Sequence, residues 1–252
     1  MAIPMENSAQ QHSLVQSIMY HLLPGICILV SFVVLAPILD QLVLPSAMAL
    51  FIVIGCVLVP VELGILLYEG KKLSGRFTLK DVVLYKEPLP KKQYIVFGII
   101  LFVWLMLILI VVFRPIDNII AELLFFWLPD WFFITKFIEN FEQYPQSVIV
   151  VTAILGVLFN GLAGPVVEEL YFRGYLLPRI SRYGKWAPLL NAILFAVYHL
   201  FSPWRIPGII VAMIPFIYVA WWKRNIYIGM IVHCAANTLS SLALFALLLR
   251  PV

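Results

Sequence analysis

Glu168 and Glu169 stand side by side in the apolar run Gly164-Pro165-Val166-Val167-Glu168-Glu169-Leu170-Tyr171-Phe172-Arg173-Gly174, with Arg173 four residues after the second. Carboxylates at membrane depth are costly, and chains that keep them generally use them. Two more polar sites follow. One is His199, in Phe195-Ala196-Val197-Tyr198-His199; the other is His233 with Asn237, in His233-Cys234-Ala235-Ala236-Asn237. Residues four apart share a helix face, so Glu169 can pair with Arg173, Phe195 can stack beside His199, and His233 and Asn237 can point together. Glu168 lies about 100° round the helix from Glu169, which suits two jobs: one carboxylate tied to Arg173, the other facing a cavity.

Such a set suggests hydrolysis. A carboxylate with a histidine can orient and deprotonate a water. A second histidine and an asparagine amide can donate hydrogen bonds to the oxyanion of a tetrahedral intermediate. The same groups could instead hold a divalent metal such as zinc, with Glu168, His199 and His233 as candidate ligands and a position left open for water. Each group also has a plainer use. Glu168 and Glu169 could form a structural ion pair with Arg173, and His199, His233 and Asn237 could join helices through hydrogen bonds. Buried Glu and His also build proton relays in transporters, but the internal repeats of that class are missing from this sequence.

The elements that must position these groups are membrane helices. Of 252 residues, 63% are hydrophobic and 12% charged, and mean hydropathy is +1.01; a soluble domain carries about 25% charged residues. No Gly-rich phosphate loop is present, which removes most ATP-driven functions. Nucleic-acid binding has no support. The cysteines Cys27, Cys56 and Cys234 are odd in number and lie in apolar runs, which reads as buried thiols rather than a disulfide framework. Residues 1–16 contain no Lys or Arg, unlike the start of a secretory signal.

About 20 apolar residues are needed per span. Candidates lie at 17–39, 43–68, 93–113, 147–170, 187–202, 206–222 and 226–249, predicting an all-α, polytopic transmembrane bundle of about seven spans. Lys71, Lys72, Arg76, Lys80, Lys86, Lys91 and Lys92 fill the loop 70–92, and basic loops favour the cytoplasm. The N-terminus is then inside and the C-terminus outside, with Arg173, Arg179, Arg182, Lys185, Lys223 and Arg224 also inside. The basic loop is expected to set topology and touch anionic headgroups. Residues 1–146 read as N-terminal membrane helices with an outer amphipathic segment at 114–146, and 147–252 as the helical core carrying the chemistry, all one integral domain. Within 115–138 the aromatic clusters suggest an interfacial helix, with a re-entrant element as the alternative. Glu62 reads as a snorkelling or paired carboxylate near the end of its span, or a liner of a substrate path.

The depths agree. Glu168 precedes Arg182, and His199 follows Lys185, by 14 residues, roughly 21 Å of helix. His233 follows Arg224 by nine, roughly 14 Å. This requires the fourth helix to continue to about residue 181, with a bend possible at Gly164-Pro165.

Glu-Glu-x-x-x-Arg, Phe-x-x-x-His and His-x-x-x-Asn, in this order over residues 147–248, resemble the CPBP family, the CAAX-protease and bacteriocin-processing (Abi) group of intramembrane endopeptidases. The resemblance implies peptide-bond hydrolysis, with Glu168 and His199 activating the water. It further implies oxyanion stabilisation by His233 and Asn237, with Glu169, Arg173 and Phe195 supporting. The expected substrate is a membrane-associated peptide or protein, prenylated or of bacteriocin type, and the expected setting a bacterial plasma membrane. The alternative within the same fold is a non-catalytic bacteriocin self-immunity or scaffold protein.

Overall fold

The computed structural model describes residues 10–248, so residues 1–9 of the region read as lacking a signal, and the last residue of the 226–249 span, lie outside it. The described residues form helices and loops without a strand; a lone bridge joins Lys86 to Asn225. Among the described residues, five helices are long and apolar enough to cross a membrane: α1 (Leu14–Gln41), α2 (Ser46–Ser74), α3 (Lys91–Leu124), α4 (Gln146–Arg179) and, later in the chain, α6 (Pro203–Lys223). The expected span at 187–202 is instead α5 (Ala187–Tyr198), of 12 residues. At 1.5 Å per residue that is about 18 Å, well short of a hydrocarbon core of about 30 Å. The last helix, α7 (Tyr227–Leu248), has 22 residues.

Segment 115–138 divides into two parts. Its first part prolongs α3 to Leu124. Leu123, Leu124, Phe126 and Trp127 are exposed, as residues lying against headgroups would be. The second cluster folds back onto the protein. Trp131 and Phe132 meet Phe32 of α1 edge-on, and Phe133 stacks on Trp204 at 4.9 Å. Aromatic pairing of this kind contributes about 0.5–1.5 kcal/mol per pair beyond area.

Prolines inside helices decide how the helices are joined. A proline has no N–H for the carbonyl four residues earlier, and in lipid that carbonyl needs another donor. Pro24 in α1 leaves Tyr20 O, which accepts from the Tyr171 hydroxyl at 2.7 Å. Pro165 leaves Gly161 O, which accepts from the Thr238 hydroxyl of α7 at 3.2 Å. Pro178 leaves Gly174 O, which accepts from Leu84 N–H at 2.8 Å. One helix after another is thus fastened to α4.

The third of these bonds docks the basic loop. Val82, Val83 and Tyr85 are buried, Arg179 donates to Val82 O, and Ile226 N–H donates to Tyr85 O. His12 N–H donates to Arg179 O, and Gln11 donates to Pro178 O. The start of α1, the loop after α2, the end of α4 and the α6–α7 turn therefore share one end of the bundle. Part of the loop is packed on the protein there, while Lys71, Lys72, Arg76, Lys80 and Lys86 stay exposed.

Candidate active site

The regular ladder of α4 widens to π-type turns at Gly156–Ala163 and Glu169–Leu176, a distortion common at functional sites. Pro165 lies just after the first. The second begins at Glu169 and contains Arg173. Glu169 and Arg173 are both fully buried, with Arg173 Nη1 3.5 Å from Glu169 Oε1. The guanidinium lies 4.0 Å over the Phe195 ring, so cation–π attraction from α5 holds it in place. Glu168 points elsewhere, into a cavity of about 210 Å³. Glu169 is thus paired with Arg173 while Glu168 faces the cavity.

His233 sits between them, its Nδ1 3.1 Å from Glu169 Oε1 and its Nε2 3.7 Å from Glu168 Oε2. A carboxylate oxygen only accepts, so Nδ1 carries the hydrogen and Nε2 is turned toward Glu168. His199 is the residue at which α5 stops. Its Nδ1 bonds Phe195 O at 2.9 Å, which again assigns the hydrogen to Nδ1 and leaves Nε2 as an acceptor. Asn237 donates to Asn160 O at 3.1 Å. Pro165 lies five residues after Asn160, so it cannot complete a wide turn to that carbonyl either, and the amide fills the place. One amide hydrogen of Asn237 is thereby used in holding α7 to α4, and its second remains.

Glu168, His199, His233, Asn237 and Phe195 all line the one cavity, together with Leu50, Ile54 and Leu58 of α2 and Leu105 and Leu109 of α3. Glu169 and Arg173 lie behind it. The candidate zinc set does not form a ligand sphere: among the described residues no three of His, Cys, Asp and Glu are placed to hold a metal ion. Glu168 is instead held by hydrogen bonding.

Several members were missed from sequence. The Tyr198 hydroxyl donates to Glu168 Oε1 at 2.9 Å; its only signal is a polar ring next to His199. Phe216 of α6 stands edge-on to His233. Gly229 leaves room for Glu169, since a Cβ there would lie 2.9 Å from Oε2. Glu62 is fully buried, not snorkelling, and lies against Glu168 and Tyr198.

Residues 147–239 match the family model described as Type II CAAX prenyl endopeptidase Rce1-like. Over these residues the chain is similar to the CPBP, or CAAX protease, family. The match spans α4 to α7 and so includes every polar group named above except Glu62. No curated protein and no solved structure matches the chain. With five long apolar helices among the described residues and this similarity, the chain reads as a multi-pass membrane protein.

Proposed function

We propose that this chain is an intramembrane endopeptidase that hydrolyses a peptide bond of a membrane-associated substrate, with Glu168 as the base. The observation that carries this reading is the convergence of Glu168, His199, His233 and Asn237 on one cavity. A water held between Glu168 and the Nε2 acceptor of His199 gives a proton to Glu168 as its oxygen attacks the carbonyl carbon. The proton passes to Nε2 of His233, 3.7 Å from Oε2, so that a cation faces the oxyanion beside the second amide hydrogen of Asn237. The C–N bond then breaks, and the proton leaves on the amine. Glu169 and Arg173 fix the ring of His233 and the turn of α4. The apolar wall of Leu50, Ile54, Leu58, Leu105 and Leu109 supports a prenylated or otherwise lipid-like substrate. The clustering of basic residues at the end that holds the loop 75–90 supports placing that end in the cytoplasm, in a bacterial plasma membrane.

The test is N-terminal peptide profiling of membranes from cells lacking the protein, complemented with wild type or Glu168→Gln at equal abundance. New termini are expected with wild type only. Loss of a general base costs about 10²- to 10⁴-fold, so the variant should yield essentially none. Identical profiles would overturn the reading.

A further inference from the structure

Glu62 lies outside the matched segment, on α2, and does not line the cavity. It is fully buried, and neither carboxyl oxygen accepts a hydrogen bond. The charged and titratable groups that face it are Glu168, Glu169, Arg173 and Tyr171 from α4 and Tyr198 from α5. Tyr198 is the neighbour that the two glutamates share.

The hydrogens can be counted. A tyrosine hydroxyl has one, and Tyr198 gives it to Glu168 Oε1. Toward Glu62 its oxygen can therefore only accept, and an ionised carboxylate has nothing to donate. A carboxylic acid does. The charges point the same way. Arg173 is the one guanidinium among these groups, and Glu169 already pairs with it. A second and third carboxylate charge beside each other in an apolar interior would stand uncompensated.

We propose that Glu62 is a positioning residue. As a neutral carboxylic acid it donates to the Tyr198 oxygen, and the polarised hydroxyl holds Glu168 as the cavity-facing carboxylate. The chain Glu62 O–H to Tyr198 O–H to Glu168 strengthens along its length, since successive hydrogen bonds polarise one another. This rests on the reading of Glu168 as the base.

The test uses the full chain, purified in detergent and assayed with an internally quenched farnesylated peptide. Glu62→Gln keeps a donor in the same place and should retain kcat. Glu62→Leu removes it and should lower kcat by about two- to tenfold, the worth of one hydrogen bond between neutral groups, with KM unchanged. Unfolding temperatures of both variants check that each is folded. Infrared difference spectra give a readout independent of turnover: wild type should show the carbonyl stretch of a protonated carboxyl that Glu62→Gln lacks. Absence of that band, or wild-type kcat in a folded Glu62→Leu, overturns the proposal. If wild type leaves the peptide uncut, the reading of a prenyl-peptide substrate fails, while the infrared band still judges Glu62.

Discussion

Glu168 differs from Glu169 only by one position in the chain, and its surroundings give it a different job. It has a hydroxyl on one oxygen, an imidazole near the other, and a cavity in front. Tyr198→Phe deletes the hydroxyl and no packing, since the ring stays against Phe172 and Phe195. The expected result is a fall in kcat of about tenfold with little change in KM, read from steady-state cleavage of the quenched peptide. Unchanged kcat would mean that Tyr198 has only a packing role. Glu169, Arg173, His199 and His233 were legible because their spacing matched a helix turn and their neighbours were apolar. Tyr198 and Glu62 were not. A buried tyrosine is common, and nothing in Val59-Pro60-Val61-Glu62-Leu63 states that a residue more than a hundred positions later shares its hydroxyl.

At the level of elements, α4 is a helix whose irregularities are filled by its neighbours. Asn237 and Thr238, adjacent on α7, occupy the adjacent carbonyls of Asn160 and Gly161. They should separate on substitution. Thr238→Val removes a helix-joining bond away from the cavity lining and should lower stability by about 0.6 kcal/mol, up to about 1.7, with kcat kept. Asn237→Ala removes the same kind of bond and an oxyanion donor, and should lower kcat by about 10²- to 10³-fold as well. Thermal unfolding in detergent alongside peptide cleavage measures both; equal loss of kcat in the two would mean that Asn237 acts through helix docking alone. The sequence announced the continuation of α4 past residue 170, and the helix runs through Arg179. It did not announce that α5 stops at Tyr198. The apolar run continues through Leu200 and Phe201, and hydropathy cannot distinguish a helix in lipid from a turn buried in protein. Close approach is equally silent: a Cβ at Gly25 would overlap the Tyr198 carbonyl oxygen, so α1 packs directly on the end of α5.

Across the molecule, one end is organised by docked loops. His12, just before α1, stacks on Tyr20 at 5.1 Å and lies near Arg179 and Arg182. Burial, reinforced by the two arginines, lowers its pKa from 6.5 to about 4. The docked segment thus holds His12 neutral where the free chain would protonate it. Docking should be at full strength above pH 6.5, weaken as pH falls toward about 4, and change little below that. Hydrogen exchange of the segment around His12 across this range measures it, and His12→Phe should flatten the dependence. A slope unchanged in that variant would assign it to another group. The prolines of α1 and α4 bear on how such a molecule is made. Each helix enters the bilayer with a carbonyl that its own ladder cannot satisfy, and an unsatisfied group there costs several kcal/mol. The partner for Tyr20 is synthesised about 150 residues later, and the partner for Gly161 about 80 residues later. Until then each helix is an unfinished article that a membrane quality-control protease could recognise. A chain arrested before Thr238 would keep the α4 defect open, so assembly and surveillance would read the same carbonyl.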